Sequence, residues 1–273
     1  MSDKQWLQEK TSEYLRQTVP SSRILQSLRL VVPSDGEMYE STLGFLSDCG
    51  LMISRGNSRR YVGQMTGFDG VVVLFQRAAD ITSKVEEGSA DIGIVGLDRF
   101  DEYNLDDGDA FMILDNLNYS SCDLVIAVPE GWIDVTEMND LADLAVDFRD
   151  KGRELRVATK YPRLTSKFFF DLGIYYFTIV QSSGSLEGAP IMGFADVIVD
   201  ISATGTTLRE NQLKTLSDGT MLKSQACLIG NRTSLGASKM KLDLTRIIIG
   251  SIKTYLESNG YSTNCLLQIE QSE

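Results

Sequence analysis

Short apolar runs alternate with helical patterns through the first hundred residues, and this alternation limits the folds open to the chain. The runs Leu28–Pro33, Val71–Phe75 and Asp91–Val95 are apolar and short, as buried strands are. Between them, Glu37–Cys49 and Asp80–Glu87 carry apolar residues at helical spacing. Strands that alternate with amphipathic helices are typical of a parallel sheet covered by helices. The pattern therefore predicts an α/β fold.

A second series of the same kind follows in the middle of the chain. The predicted strands are Cys122–Val128, Leu155–Ala158, Ile174–Val180 and Val197–Ile201, and the predicted helices are Met138–Phe148, Arg163–Leu172 and a short one after Gly184. Ligands of such sheets bind outside the carboxyl ends of the strands. We therefore predict two α/β lobes with a central cleft, followed by a short helical tail.

These two series define the predicted domains. Lobe I comprises residues 21–116 and 205–232, and lobe II comprises residues 117–204. Residues 1–20 suggest an amphipathic helical extension, which either packs on its own domain or binds a partner. Residues 233–273 form a C-terminal tail, and about forty residues are too few for an independent core.

The composition excludes several classes of function. The 273 residues carry a formal net charge of −12, which argues against nucleic acid as a partner because phosphate backbones are bound by basic surfaces. The chain contains no histidine, which excludes Ser-His-Asp and Cys-His catalysis and a histidine general base. Any catalysis must therefore rely on positioning, electrostatics, carboxylates or Mg²⁺.

The sequence also predicts a cytoplasmic protein that does not enter a membrane. No stretch of about 18 consecutive apolar residues is present, and the charged N-terminus lacks the apolar core of a signal peptide. The four cysteines, Cys49, Cys122, Cys227 and Cys265, lie far apart without a CxxC pair. This spacing is typical of reduced thiols and argues against zinc, so no metal site built by the protein alone is predicted.

The segment Ala195–Asn211 carries the clearest binding signal. Its strand runs into a turn of small and hydroxyl-bearing residues, and Leu208–Asn211 then begins a helix. The turn residues are Ser202, Ala203, Thr204, Gly205, Thr206 and Thr207. Backbone N–H groups, hydroxyls and the helix dipole at such a turn bind phosphate. An ordinary capped turn uses the same residue types and is the alternative.

Charged residues follow other strands. Asp200 and Glu187 suit hydrogen bonds from sugar hydroxyls, or Mg²⁺ shared with a diphosphate. Thr159 and Lys160 follow a strand, where the lysine can neutralise phosphate, and Arg77 can pair with a triphosphate. The alternative for Glu187, Lys160 and Arg77 is an ordinary solvated surface side chain.

Four ordered segments together resemble the ATP phosphoribosyltransferase family. They are Glu86–Gly96, Arg156–Pro162, Gly184–Pro190 and Ala195–Asn211, and the most specific part is Asp200–Leu208. The resemblance covers about residues 28–230. It implies two α/β lobes arranged like those of type II periplasmic binding proteins.

The resemblance also implies a reaction and a set of residue roles. N1 of ATP attacks C1 of phosphoribosyl pyrophosphate (PRPP), and pyrophosphate leaves with the assistance of Mg²⁺, as the first step of histidine biosynthesis. By this resemblance, residues 202–207 bind PRPP, and Glu187 and Asp200 act as catalytic carboxylates at the ribose. Thr159 and Lys160 lie near the pyrophosphate.

For ATP, the resemblance implies contacts by Arg77, Asp91 and Gly96. The family has a basic glycine turn after its first strand, whereas this chain has the acids Asp35 and Glu37 there. Two alternatives therefore stand beside the enzyme: a non-catalytic paralogue that serves as a regulatory or assembly subunit, and a small-anion binding protein. A homo-oligomer is expected, with a regulatory subunit resembling histidyl-tRNA synthetase as a further partner.

Overall fold

The computed structural model of the chain describes residues 26–57, 59–182 and 184–267. The predicted helix within residues 1–20 lies outside these ranges. The strands are β1 (Leu28–Pro33), β2 (Ile53–Ser54), β3 (Val62–Met65), β4 (Val71–Gln76), β5 (Ile92–Gly96), β6 (Ala110–Leu114), β7 (Cys122–Pro129), β8 (Leu155–Thr159), β9 (Phe177–Gln181), β10 (Val197–Ser202), β11 (Leu213–Ser224) and β12 (Ala226–Asn231). The helices are α1 (Glu37–Asp48), α2 (Ala78–Glu86), α3 (Leu97–Tyr103), α4 (Met138–Asp150), α5 (Pro162–Asp171), α6 (Thr206–Glu210), α7 (Arg232–Gly236) and α8 (Lys239–Ser258).

The chain divides into two compact units. The first contains the described residues up to Ile94, Leu105–Leu114 and the described residues from Leu228 onward. The second contains Val95–Asn104 and Asp115–Cys227. Of the helices in the described ranges, not one has the length and apolar character that crossing a bilayer requires.

The first unit is built on a seven-stranded sheet in the order β2-β3-β4-β1-β5-β12-β6. Its centre is β1, which pairs in parallel with β4 and β5. Leu28, Leu30, Val31 and Val32 are all fully buried. Burial of successive residues is typical of a parallel strand with both faces covered, so the apolar run Leu28–Pro33 needs this central position.

The second unit is built on a five-stranded sheet in the order β11-β7-β10-β8-β9. Strand β8 pairs in parallel with β9 and β10, whereas β7 runs antiparallel to β10 and β11. Val197 and Val199 face one apolar cluster, and Ile198 between them faces another. This alternation follows the two-residue period of a strand, and it anchors β10 on both faces.

The predicted lobe boundaries differ from these units. Residues 205–232 are predicted to belong to lobe I, but those up to Cys227 lie in the second unit because β11 pairs with β7. Residues 95–104 also lie in the second unit, where α3 contacts α5 and β11. The described part of the predicted tail, residues 233–267, belongs to the first unit, in which α8 buries an apolar face.

Some predicted elements differ as well. Helix α2 begins at Ala78, two residues before the predicted start at Asp80. The segment after Gly184 forms turns rather than a helix in its described part. The start of the predicted tail contains the short helix α7, which the Asn231 side chain caps by accepting a hydrogen bond from Ser234 N. The long strand β11 was absent from the sequence prediction because its polar and apolar residues do not alternate regularly.

Candidate functional site

Residues 202–207, here called the β10 turn, join strand β10 to helix α6. Gly205 adopts a left-handed conformation, with φ of 70°, and its N–H donates to Ser202 Oγ over 3.0 Å. The hydroxyls of Thr204 and Thr206 lie 3.0 Å apart. The first N–H groups of α6 have no acceptor within the helix. The turn therefore presents hydroxyls and backbone donors on an exposed surface.

Arg209 adds a positive charge to this turn. Its Nη2 lies 3.3 Å from Thr204 O and 3.2 Å from Thr206 Oγ1. The guanidinium thus folds back from α6 over the β10 turn. Arg209 was not among the predicted site residues. Its position three residues after Thr206 nevertheless indicates the contact, because residues three apart on a helix are neighbours.

Asp200 precedes the β10 turn and is only 7% exposed. Its Oδ1 accepts a hydrogen bond from Ile201 N over 2.9 Å, and its Oδ2 lies 3.7 Å from Lys160 Nζ. Burial raises the pKa of Asp200 above its usual value, and the charge of Glu187 adds to this effect. The opposing influence of Lys160 is smaller than that of burial. Asp200 is therefore a carboxylate whose charge depends on its neighbours.

Glu187 lies in the turn that follows β9 and is partly exposed. The preceding residue, Leu186, is fully buried in the same apolar cluster as Ile198 and Leu208. This packing anchors the Glu187 turn beside β10. The structure thus brings Glu187 within electrostatic reach of Asp200, and both carboxylates belong to the second unit.

Thr159 and Lys160 differ in what they present. Thr159 is fully buried, and its Oγ1 accepts a hydrogen bond from Tyr161 N over 2.9 Å. Its hydroxyl also lies 3.5 Å from Thr165 Oγ1. The side chain therefore stabilises the start of α5, and the placement of Thr159 near the pyrophosphate stays a prediction. The Lys160 side chain is partly exposed and faces Asp200.

A buried network that the sequence analysis missed supports the start of α5. Tyr161 Oη and Ser224 Oγ each donate to the Asp98 carboxylate over 2.6 Å. Asp98 N donates in turn to Ser224 Oγ over 3.0 Å. Burial and the Asp98 charge raise the pKa of Tyr161, so this phenol stays protonated. The partners are far apart in the chain, and no local pattern links them.

The three residues predicted to contact ATP lie in different environments. Arg77 is exposed at the residue that precedes α2. Gly96 is buried, and a Cβ atom there would lie 2.4 Å from Asp98 Oδ1. Asp91 is fully buried, and its carboxylate accepts hydrogen bonds from Arg29 and Lys241. Its oxygens thus accept hydrogen bonds inside the first unit, and the contact of Asp91 with ATP stays a prediction.

The donor set for a metal ion is small. Within the described ranges, no group of three or more His, Cys, Asp or Glu side chains is placed to hold a metal. Asp200 and Glu187 form a pair of neighbouring carboxylates. Mg²⁺ is usually bound by one or two carboxylates together with substrate phosphates and water. The pair therefore fits an ion that arrives with a diphosphate.

Comparison with known proteins identifies the family. A profile of ATP phosphoribosyltransferases matches residues 77–253, which is more than half of the chain. The chain belongs to the ATP phosphoribosyltransferase family. The ATP phosphoribosyltransferase of Mesorhizobium japonicum is 47% identical over 209 residues, covering 75% of this chain and 90% of that protein. The protein of the same name from Brucella melitensis biotype 2 is 43% identical over 227 residues, covering 82% of this chain and 98% of its own.

A solved structure of an ATP phosphoribosyltransferase has a similar fold. It is the HisG:HisZ complex of Thermotoga maritima, with a TM-score of 0.63 and 26% sequence identity. The match covers 85% of this chain and 99% of that chain. The predicted family, the α/β fold class and the enzyme class, a pentosyltransferase of histidine biosynthesis, are therefore confirmed.

Proposed function

We propose that this ATP phosphoribosyltransferase joins N1 of ATP to C1 of PRPP and releases pyrophosphate. The residue assignment rests on one observation. The β10 turn and the charged groups around Asp200 lie in the same unit. A phosphorylated sugar needs donors at its phosphate and acceptors at its hydroxyls. The second unit has both, on adjoining stretches of the same strand and turn.

The 5-phosphate of PRPP is assigned to the β10 turn. Backbone N–H groups and the hydroxyls of Thr204, Thr206 and Thr207 serve as donors to its oxygens. Arg209 supplies the positive charge that a helix as short as α6 provides only weakly. The phosphate replaces the contact between the Thr204 and Thr206 hydroxyls.

The ribose is assigned to Asp200 and Glu187. Each carboxylate accepts hydrogen bonds from ribose hydroxyls and thereby orients C1. When the bond from C1 to the pyrophosphate oxygen breaks, its electron pair leaves with pyrophosphate, and positive charge develops on the ribose. Buried carboxylates that are fixed in advance stabilise such a charge. The new bond then forms between C1 and N1 of ATP, for which alignment matters more than a strong base.

The pyrophosphate is assigned to Lys160, whose ammonium group faces Asp200 at the end of β8. The residues that would hold Mg²⁺ are Asp200 and Glu187, together with the phosphates of PRPP. When bound, the ion supplies neutralisation of the charge on the leaving group. For ATP, the proposed contacts are Arg77, Asp91 and Gly96.

The partners and location are proposals that rest on the family. The Thermotoga maritima match is a HisG:HisZ complex, which supports a HisZ-like regulatory subunit as a partner. The homo-oligomer is proposed from the family resemblance alone. The cysteines that the structure describes are all free, which agrees with a cytoplasmic location. The acidic turn at Asp35 and Glu37 keeps a non-catalytic paralogue as the second candidate.

A pyrophosphate-release assay tests the proposal. Purified protein is mixed with ATP, PRPP and Mg²⁺, both alone and with a HisZ-like subunit, and PRPP and ATP binding are measured separately by calorimetry. An enzyme binds both substrates and releases pyrophosphate. Binding of PRPP without ATP binding or turnover would establish the paralogue instead.

The double substitution Thr206→Ala with Thr207→Ala tests the phosphate assignment. We expect PRPP affinity to fall about tenfold or more, because each hydrogen bond to a charged group contributes roughly 1.5–3 kcal/mol. ATP affinity should stay unchanged. The control is Thr254→Ala, which removes an exposed hydroxyl from α8. Unchanged PRPP affinity in the double variant would refute the assignment.

A further inference from the structure

Lys160, the residue assigned to pyrophosphate, stands between two fully buried residues. Thr159 and Tyr161 are both 0% exposed, whereas the Lys160 side chain is 27% exposed. The Tyr161 N–H donates to Thr159 Oγ1 over 2.9 Å, and the Tyr161 carbonyl accepts a hydrogen bond from Thr165 N over 3.0 Å. The path of the backbone at Lys160 is therefore set by its two neighbours.

The Tyr161 side chain links this segment to helix α3 and to the end of β11. Its Oη donates to Asp98 Oδ2 over 2.6 Å, and Ser224 Oγ donates to Asp98 Oδ1 over 2.6 Å. A Cβ atom at Gly96 would lie 2.4 Å from Asp98 Oδ1, so the glycine leaves room for the carboxylate. Hydrogen bonds to a carboxylate are stronger than those between neutral groups. The phenol thus attaches residues 159–161 to two other elements of the second unit.

Helix α3 is a fixed support for this attachment because a second set of contacts joins it to α5. The Glu102 carboxylate accepts hydrogen bonds from the backbone N–H groups of Arg163 and Leu164, each over 2.9 Å. These N–H groups lie in the first turn of α5, where a helix has no acceptor of its own. The position of Asp98 relative to the start of α5 follows from these bonds.

The place of Lys160 in the sheet explains why its backbone matters. Strand β8 pairs with β10 as far as Thr159, which lies opposite Val199, so Lys160 is the first residue beyond this pairing. Its Nζ lies 3.7 Å from Asp200 Oδ2. A lysine side chain is a flexible four-carbon stem. The region that the ammonium group can reach therefore depends on where the backbone is held.

We propose that Tyr161 is a positioning residue of the pyrophosphate site, where its hydrogen bond to Asp98 holds the backbone that presents Lys160 to the leaving group. The proposal rests on the proposed function, because that function assigns pyrophosphate to Lys160. Tyr161 acts through Lys160 and does not contact substrate. The network of Tyr161, Asp98 and Ser224 thereby serves ligand binding as well as the stability of the second unit.

The substitution Tyr161→Phe tests this role by comparing two ligands in calorimetry. We expect the affinity for pyrophosphate with Mg²⁺ to fall about fivefold, within the range over which contacting residues couple. The affinity for ribose 5-phosphate should stay at the wild-type value, because the β10 turn and its donors are unchanged. Unchanged pyrophosphate affinity, or an equal loss for both ligands, would overturn the proposal.

A double-mutant cycle shows whether Tyr161 acts through Lys160. PRPP affinity is measured in Tyr161→Phe, in Lys160→Met and in the variant with both substitutions. The double variant should bind PRPP as weakly as Lys160→Met alone, because the hydroxyl then has no cation left to position. A further loss of about fivefold in the double variant would show that the two residues act independently and would overturn the proposal.

Asp218→Ala is the matched control for lost stability. Asp218 Oδ1 accepts a hydrogen bond from Met138 N over 2.8 Å at the start of α4, so this variant also loses a hydrogen bond of the second unit. We expect it to keep the wild-type affinity for pyrophosphate. If Tyr161→Phe does not fold, Ser224→Ala removes the other donor to Asp98 and should weaken pyrophosphate binding in the same direction.

Hydrogen exchange in the ligand-free protein separates this proposal from the proposed function. The backbone amide of residue 161 is buried and hydrogen-bonded, so it exchanges through local opening. Its exchange, followed by NMR, should be about fivefold faster or more in Tyr161→Phe. Faster exchange supports the positioning role even if the wild type releases no pyrophosphate, which is a failure of the proposed function alone. Unchanged exchange would overturn the role even if the wild type is active.

Discussion

At the scale of single residues, the site depends on one backbone conformation. Gly205 has a positive φ, and its N–H closes the β10 turn by donating to Ser202 Oγ. A Cβ atom at this position would also lie 3.0 Å from Arg209 Nη1. An L-residue therefore strains the backbone and displaces the arginine that covers the turn. Gly205 therefore determines both the backbone conformation of the β10 turn and the position of the Arg209 guanidinium.

Gly205→Ala should lower PRPP affinity about tenfold while it reduces the free energy of unfolding by about 1–2 kcal/mol. The affinity is measured by calorimetry and the stability by urea unfolding. Gly173→Ala is the matched control, because Gly173 has a φ of 76° in the same unit with no atom within 4 Å of an added Cβ. Equal effects of the two substitutions on PRPP affinity would contradict the role of Gly205.

At the scale of elements, a buried aspartate joins the C-terminal helix to the sheet of the first unit. Asp91 Oδ1 lies 2.6 Å from Arg29 Nη2 on β1 and 2.9 Å from Lys241 Nζ on α8, and it also accepts a hydrogen bond from Ser234 Oγ on α7. Burial by itself would raise the pKa of Asp91, but the hydrogen bonds from Arg29, Ser234 and Lys241 outweigh it. The pKa of Asp91 therefore lies below its usual value.

Asp91→Asn should reduce the free energy of unfolding by about 3–5 kcal/mol at pH 7, since it leaves two buried cations without their partner. Because the pKa of Asp91 is lowered in the folded state, ionised Asp91 stabilises the folded protein at pH values above about 4, the usual aspartate pKa. This stabilisation is lost as the pH falls through the lowered pKa. Urea unfolding at pH 7 and pH 3 should show this acid dependence in the wild type and less of it in Asp91→Asn. Asp243→Asn, in an exposed ion pair on α8, serves as the control. A variant of full stability that binds ATP weakly would instead favour the original ATP prediction.

At the scale of the whole molecule, the residues proposed for PRPP all belong to the second unit. Lys160, Glu187, Asp200 and the β10 turn lie within Asp115–Cys227. A single unit therefore supplies the phosphate donors, the ribose acceptors and the cation for pyrophosphate. The charge of −12 on the chain makes local cations such as Lys160 necessary for a ligand as anionic as PRPP.

PRPP with Mg²⁺ should therefore protect the second unit most strongly from hydrogen exchange. At a ligand concentration about 100 times Kd, binding adds about 2.7 kcal/mol to the stability of the state that binds. Exchange measured by mass spectrometry should slow most in peptides from residues 155–161 and 197–210. The variant with Thr206→Ala and Thr207→Ala should lose about half of this stabilisation or more at the same PRPP concentration, because a tenfold weaker affinity places it at about 10 times its Kd. Protection limited to the first unit would contradict the assignment.

Local patterns predicted much of the fold. The runs at β1, β4, β5, β7, β8 and β10 are apolar because each strand is buried, so their composition marks them without reference to the rest of the chain. Strand β11 has exposed polar positions and a register shift opposite β7, so its pattern was not recognised. The boundary near residue 205 was misplaced for the same reason, since only the pairing with β7 assigns this segment to a unit.

By itself, the sequence determined the α/β class, the family and the turn after Asp200, because short-range periodicity and a contiguous motif carry them. Only the tertiary structure decided that Thr159 and Asp91 are fully buried. Burial and charge compensation depend on partners brought together by folding. Ser224 and Asp98, for example, are separated by 126 positions, so no local pattern reveals their hydrogen bond.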